Sequence, residues 1–261
     1  MDNKLTPTNL VIWRIAAWCG PVFLIGLLVF WGLLAGYVPA PPQDWTAAQL
    51  MAKYTEHNTA IKVGMVAVLM LIPFYFVWSS LVSKVIQRIE GPSGVLSNVE
   101  LVGGTVTAIT GLLFSACWLV AAFRIADRTP QDVQLMHDLG WMFFDVTFMA
   151  PGAQMIAFGT LPFIDRREKP LFPRWLGWVT YAGAATFICI ALLPFVKNGP
   201  FAWNGLLTYW LALGMFFVWM VLAMYFVFPA IRRIADEDGV VPATPVGTRT
   251  RYDELKGTAA P

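Results

Sequence analysis

The stretch LVIWRIAAWCGPVFLIGLLVFWGLLAGY, residues 10–37, is a nearly continuous apolar run in which Arg14 is the only charged residue. A helix of about 20 apolar residues crosses the hydrocarbon core of a bilayer, so this run is long enough to span a membrane. It is too long for the apolar part of a signal peptide, and no small-residue cleavage site follows it before Pro39. We therefore interpret it as a first transmembrane helix.

The rest of the chain has the same character. It is 57% hydrophobic and 13% charged, with a mean hydropathy of +0.62, whereas soluble domains carry roughly 25% charged residues. The predicted spans are residues 10–37, 60–82, 99–123, 139–163, 175–196 and 204–229. The sequence thus predicts an all-α polytopic membrane helical bundle with six transmembrane helices over residues 1–234, followed by a disordered cytoplasmic tail over residues 235–261.

Charge distribution predicts the orientation of this bundle. The loops after the second, fourth and sixth spans hold most of the cations, namely Lys84, Arg88, Arg166, Arg167, Lys169, Arg174, Arg232 and Arg233. The positive-inside rule then places both termini in the cytoplasm of a multi-pass protein of the cell inner (cytoplasmic) membrane. The net charge of +2 provides no basic field for nucleic acid, which excludes that class of partner.

Prolines and small residues within the spans predict helix kinks and close helix packing. Pro73 in the second span and Pro151 in the fourth each remove a backbone donor, so both helices are expected to kink. A stripe of small residues along the third span allows close approach of another helix or of a flat ligand; it consists of Gly103, Thr107, Gly111 and Ser115.

The loop at residues 38–58 is expected to contain a short helix, capped by Asp44 or Thr46, across the outer mouth.

The chain has two histidines, His57 and His137, and the predicted topology places both at the outer leaflet. His57 has three possible interpretations: an interfacial residue with no functional role, a ligand to an inorganic metal, or an axial ligand to haem. An inorganic site needs three or four ligands, whereas haem needs one protein imidazole. The two histidines together are also compatible with a b-type haem held between them.

Asp145 is the acidic residue predicted to lie deepest in the membrane. Helical spacing places it on one stripe with His137 and Trp141, about 10 Å below the start of the fourth span. A carboxyl at that depth is a candidate for a functional role. The alternative is a structural ion pair with Arg124, which is predicted at the same leaflet.

Other polar residues are assigned structural roles. Gln154, deeper in the fourth span, is expected to hydrogen-bond neighbouring helices. Glu100, Lys84 and Arg88 are expected to be solvated anchors at the cytoplasmic border. The three cysteines each lie alone in apolar segments and are interpreted as packing residues.

The segment HNTAIKVGM runs from His57 through Gly64 and Met65 into apolar residues and Pro73. Together with the preceding loop, which contains Pro41, Pro42 and Trp45, it resembles the haem-ligating region of the styrene oxide isomerase family. In that family a histidine at the end of an outer loop precedes Gly-Met and an apolar run that ends in proline. The order of residues 123–128 and of Ala150-Pro151 also matches, so the resemblance covers about residues 30–160.

The resemblance implies a haem b near the outer leaflet, with His57 as the metal ligand and with Gly64 and Met65 in the cofactor-binding segment. His137 is the candidate second haem residue. In the family, ferric haem acts as a Lewis acid that opens an epoxide to a carbonyl compound, in a homo-oligomer with haem near subunit contacts. This chain departs from the family at Val63, Gly103 and Gly111, where the family has substrate-orienting polar groups. Those departures predict a different substrate or reaction.

The leading expectation is therefore a haem-b membrane enzyme that isomerises a hydrophobic small molecule taken from membrane lipid, with Asp145 and Arg124 as its catalytic groups. Two alternatives stay open. One is a cofactor-free transporter or binder of a lipid-like molecule, which would use broken helices and a buried acid. The other is a b-type haem electron-transfer protein that uses His57 and His137. The sixth span contains no lysine, which excludes a retinal Schiff base.

Overall fold

The computed structural model describes residues 4–240, and within them every regular element is helical, which confirms an all-α bundle. The elements in chain order are α1 Pro7–Leu27 with a π-helical continuation Leu28–Leu34, α2 Ala47–Glu56, α3 Asn58–Glu90, α4 Leu96–Ala122, a 3₁₀ turn Ile125–Asp127, α5 Pro130–Val146, α6 Met149–Ile164, α7 Arg174–Thr186 with a 3₁₀ continuation Phe187–Phe195, and a π-helix Leu206–Leu213 that leads into α8 Gly214–Glu237.

Five of the described helical segments are long and apolar enough to cross a membrane, as a multi-pass membrane protein requires. They are Pro7–Leu34, Asn58–Glu90, Leu96–Ala122, Arg174–Phe195 and Leu206–Glu237. The final helix passes the predicted domain boundary at residue 234, and most of the predicted tail, residues 241–261, lies outside the described residues.

The predicted fourth span is divided into α5 and α6, which meet at Thr147 and Phe148. The pair still crosses the whole bundle. On α5, His137 contacts Tyr54 of α2, which lies before α3 begins, and just beyond α6 the Arg167 side chain donates to Glu237 at the end of α8. Six segments of the described chain therefore run from one end of the bundle to the other.

Both ends of the described chain lie at the same end of the bundle, which we call the terminal end. The Leu5 amide donates to Asp238 Oδ2 at 2.7 Å, and Arg88 Nη2 donates to Asp238 Oδ1 at 2.7 Å. Burial raises the pKa of Asp238, but these two hydrogen bonds outweigh it and hold the pKa below its ordinary value. Arg88, expected to be a solvated anchor, is largely buried in this ion pair, whereas Lys84 is exposed as expected.

The opposite end, which we call the α2 end, is covered by the loop helix. Thr46 caps α2 in a reciprocal pair of hydrogen bonds with Gln49, so the capping residue is Thr46 and not Asp44. Gln43 ties this loop to the last interhelical connection, because its Nε2 donates to the Val196 carbonyl and its Oε1 accepts from the Trp203 amide. The predicted short helix across the mouth is confirmed.

Glycines on α4 allow three helices to pack closely. A Cβ on Gly103 would lie 2.9 Å from the Ala150 carbonyl oxygen of α6, and one on Gly104 would collide with Ser79 of α3. The small-residue stripe therefore serves helix packing, as one of its two interpretations expects. Gly111 also borders the cavity described next.

Candidate functional site

A cavity of about 90 Å³ lies inside the bundle, between α1, α3, α4, the α5–α6 junction and the 3₁₀ segment after α7. Six phenylalanines supply much of its wall, namely Phe23, Phe114, Phe144, Phe148, Phe187 and Phe216. Polar groups at the wall come from Asp145, Tyr75 and the threonines at positions 107, 110 and 147. The lining therefore favours a small, mostly apolar molecule with few polar groups, and a cavity of about 90 Å³ must widen to admit one that contains an aromatic ring.

Asp145 is the carboxyl group at this cavity. It lies in the last turn of α5 and is 6% exposed. Its Oδ2 is buried and has no hydrogen-bond partner within the described part of the chain. An unpartnered buried polar group costs roughly 1–3 kcal/mol. This group is thus available to a ligand that offers it a hydrogen bond.

The break between α5 and α6 lies one turn before Pro151. The proline ring crowds the carbonyl of the residue four positions earlier, Thr147, which favours a break at that turn. Pro73, the other proline predicted to perturb its helix, causes no break, because α3 runs unbroken through it. Local bonds satisfy the freed groups: Phe148 N donates to the Asp145 carbonyl at 3.0 Å, and Thr147 Oγ1 donates to the Phe143 carbonyl at 2.9 Å.

The other interruptions of α-helical geometry in the described chain converge on the same cavity. The first π-helix begins directly after the lining residue Leu27, and the second ends at the lining residue Leu213. Phe187 begins the 3₁₀ segment, and Phe148 lies in the break. Irregular backbone at membrane depth is tolerated where it is buried or lines a cavity, and π-helical turns are frequent at functional sites.

A second buried carboxyl lies near the cavity, and sequence reasoning placed it wrongly. Glu100 was expected to be a solvated anchor but is 0% exposed. Gln154 Nε2 donates to Glu100 Oε1 at 2.8 Å, while Tyr75 Oη and Thr107 Oγ1 each donate to Gln154 Oε1 at 3.0 Å. Gln154 thus bonds neighbouring helices, as expected. The available signal was spacing, because Glu100 shares the helical stripe of Gly103, Gly104 and Thr107.

His137 is fully buried and both of its ring nitrogens are engaged. Trp141 Nε1 donates to His137 Nε2 at 3.1 Å, and His137 Nδ1 lies 3.0 Å from Tyr54 Oη. An indole N–H can only donate, so Nε2 must be the bare nitrogen and Nδ1 must carry the hydrogen that Tyr54 accepts. Tyr54 in turn is 2.8 Å from Tyr37 Oη. The imidazole is a neutral structural group in this arrangement.

His57 lies between α2 and α3, with its side chain 53% exposed and 3.9 Å from the Glu56 carboxylate. It does not line the cavity. Gly64 packs against the first π-helix, where a Cβ would meet the Phe30 carbonyl oxygen at 2.5 Å, and Met65 is buried. These residues do not surround a common space, so with His137 already engaged they do not fit a haem inside the bundle. The haem itself stays a prediction.

Arg124 does not meet Asp145. It is exposed, adopts a left-handed backbone conformation with φ 53°, and lies over the Phe123 ring with its guanidinium carbon 5.1 Å from the ring centre. The ion pair considered from the sequence is therefore not formed, and the two candidate catalytic residues are not brought together. Asp145 alone of the two faces the cavity.

Lys53 of α2 was not identified from the sequence. Its Nζ donates to the Gly36 carbonyl at 2.7 Å and lies 5.4 Å from the centre of the Tyr37 ring. Burial lowers the pKa of Lys53. This contact joins α2 to the turn after the first π-helix and helps close the α2 end.

Comparisons with protein-family models, curated proteins and solved structures find no match. Within residues 4–240 no group of three or more histidine, cysteine, aspartate or glutamate side chains is arranged to hold a metal ion. Function is therefore inferred from the cavity and its surroundings.

Gly64→Ala tests whether this glycine serves packing. Its new Cβ would also lie 2.8 Å from Ala35 Cβ, and the Phe30 carbonyl cannot yield without separating α3 from the π-helix. We expect a loss of about 1–3 kcal/mol in the free energy of unfolding, seen as a lower thermal midpoint in detergent. Gly152→Ala is the matched control, because its Cβ would meet only Phe187 Cδ2 at 3.6 Å. Equal midpoints for the two variants would contradict the packing role.

Proposed function

We propose that this protein is a membrane transporter for a small, largely apolar molecule that bears one hydrogen-bonding group, and that the molecule binds beside Asp145. One observation carries the proposal: the interruptions of helical geometry meet at a cavity whose carboxyl oxygen lacks a partner among the described residues. Transporter sites are commonly built from discontinuous helices, and ionisable residues within spans commonly mark substrate pathways.

We further infer that the terminal end faces the cytoplasm of a cell inner membrane. The loops at that end and the helix turns beside them hold Lys84, Arg88, Arg166, Arg167, Lys169, Arg174, Arg232 and Arg233. The positive-inside rule supports this orientation. Access to the cavity from the opposite side would then require movement at the α2 end, where Lys53 and Gln43 hold the loop closed.

The chemistry of the wall defines the ligand class. Phenylalanine rings favour an aromatic or alicyclic body through offset and edge contacts. Asp145 favours a hydroxyl, because a hydroxyl can donate to a carboxylate or accept from a protonated carboxyl. A ligand with a formal charge and no partner would be strongly disfavoured in so apolar a site.

Benzyl alcohol is a suitable probe of this site, and toluene is its matched control without the hydroxyl. We expect benzyl alcohol to raise the thermal midpoint of the protein in lipid nanodiscs, since a ligand at 100 times its Kd stabilises the folded state by about 2.7 kcal/mol. Toluene at the same membrane concentration should give a clearly smaller shift. Equal shifts, or none, would contradict the proposal.

A visible absorption spectrum separates this proposal from the haem-dependent isomerase and electron-transfer functions. We expect no Soret band from protein produced in cells supplied with haem precursors, because neither histidine is placed to bind haem inside the bundle. A band near one haem per chain that is lost in His57→Ala would overturn the transporter proposal. It would favour the haem-b enzyme and would make homo-oligomer formation the next property to measure.

A further inference from the structure

Two hydrogen-bonded groups of polar residues follow one another between the terminal end of the bundle and the cavity. Near the terminal end, Ser83 Oγ donates to the Ser97 carbonyl at 2.7 Å. One turn further in, Ser79 Oγ donates to Glu100 Oε1 at 3.2 Å. Gln154 then connects Glu100 to the cavity wall. We call this set the polar seam: Ser83, Ser97, Ser79, Glu100, Gln154 and the wall residues Thr107 and Tyr75.

Glu100 is the ionisable carboxyl within the polar seam. Facing it, α3 presents the Ser79 hydroxyl and the titratable phenol of Tyr75, and α6 presents the Gln154 amide. No charged side chain is among its contacts in the described part of the chain. Its Oε2 is buried and has no partner there. An ionised carboxylate is strongly unfavourable in such surroundings, so Glu100 carries a proton in the arrangement that this structure shows.

The contacts of Gln154 link that proton to the cavity. Its amide oxygen accepts from Thr107 and Tyr75, and its amide nitrogen donates to Glu100. Hydrogen bonds in a chain strengthen one another, so Gln154 is a better donor to Glu100 while both hydroxyls bind its oxygen. A ligand that draws either hydroxyl toward the cavity weakens the donor, and an ionised Glu100 is then stabilised less.

We propose that ligand and proton bind together, with Glu100 as the proton-carrying group and the serines of the polar seam as its connection to water at the terminal end. The inference rests on the proposed function for the identity of the cavity. The contacts of Gln154 determine the direction of the coupling between ligand binding and protonation. A bound ligand favours protonated Glu100, so ligand affinity rises as pH falls through the range in which Glu100 titrates. By linkage, protonation raises ligand affinity by the same factor.

A measurement without ligand tests the proton itself. Infrared spectra of the protein in nanodiscs should show protonated carboxyl absorption at neutral pH, of which Glu100→Gln removes one band and Asp145→Asn leaves that same band in place. Under the proposal the serines of the polar seam let Glu100 exchange its proton with water, so this band should shift in D₂O. If Glu100→Gln removes no such band, or if the band does not shift in D₂O, the proposal is overturned whatever the cavity binds.

Benzyl alcohol binding measured against pH tests the coupling. For the parent protein we expect about tenfold tighter binding at the acidic end of the range, within the usual span of coupling factors. Glu100→Gln should bind at every pH as tightly as the parent does in acid. Asp145→Asn should bind more weakly but keep the pH dependence, which separates the two carboxyls.

The outcomes distinguish the two proposals. Binding by the parent that does not change with pH overturns the coupling and leaves the transporter proposal standing. Loss of the pH dependence in Asp145→Asn assigns the proton to Asp145 and also overturns the role of Glu100. Absence of any hydroxyl-dependent binding counts against the proposed function, and the infrared exchange of Glu100 then decides the proton site on its own.

Discussion

Asp145→Leu should give a protein that is more stable than the parent and no longer distinguishes benzyl alcohol from toluene. The substitution removes a buried oxygen without a described partner and fills part of the cavity with apolar atoms. We expect a gain of about 1–2 kcal/mol in the free energy of unfolding, within the cost of an unsatisfied buried polar group. Loss of the hydrogen bond should weaken benzyl alcohol binding at least tenfold, since about 1.4 kcal/mol corresponds to that factor. Thermal unfolding and nanodisc binding measure the two effects.

The combination of gained stability and lost binding identifies a functional residue. Natural proteins retain such costly groups when activity requires them. Asp145→Asn keeps the size and polarity of the side chain, so it should change the thermal midpoint less than leucine does. A lower thermal midpoint for Asp145→Leu than for the parent would mean that the carboxyl stabilises the fold. That result would contradict the assignment of Asp145 as a ligand-binding group retained at a cost in stability.

Gln154→Leu should have the opposite effect on stability. It removes the hydrogen-bond partner of Glu100, Tyr75 and Thr107 at one step. Interhelical hydrogen bonds in membranes average roughly 0.6 kcal/mol each, and buried groups left without a partner add to this, so we expect a loss of about 2–4 kcal/mol. Thermal unfolding in the same nanodiscs measures it.

Gln87→Leu is the matched control for that variant. Gln87 lies at the terminal end of α3, where its Oε1 accepts from the exposed Lys84 at 3.3 Å. Substitutions at such positions usually change stability by less than about 0.5 kcal/mol. Similar midpoints for the two leucine variants would show that the buried network contributes nothing measurable beyond ordinary packing.

The crossings of the bundle could be predicted from length and composition because the bilayer imposes both. Asp145 could also be identified from the sequence, because a carboxyl in the middle of an apolar span is costly and is therefore a candidate for a functional role. Glu100 could not. It lies near the end of its apolar run, where a glutamate usually reaches water, and its partner Gln154 comes from another helix. The helical stripe that Glu100 shares with Gly103, Gly104 and Thr107 was a signal of a packed face, but it did not identify which helix packs against that face.

The histidines show a second limit. Their residue type suited a haem ligand, but the role of His137 is decided by which atoms surround it, and Trp141 and Tyr54 occupy both nitrogens. The π-helices are a further case. Residues 28–34 have no composition that distinguishes them from the α-helix before them. The first π-helix packs so closely against Gly64 that a Cβ there would meet the Phe30 carbonyl oxygen, and this contact between helices is not visible in the sequence.

The hydrogen bond between Leu5 and Asp238 has a topological consequence. It brings the start and the end of the described chain together, so the helices form a closed ring of three hairpins. The exposed link between Glu168 and Lys169 lies on the same side of the ring. A circular permutant that joins residues 5 and 238 and opens at this link would keep every hairpin and insert each one in its original direction. The position at which the chain begins is therefore arbitrary for this architecture.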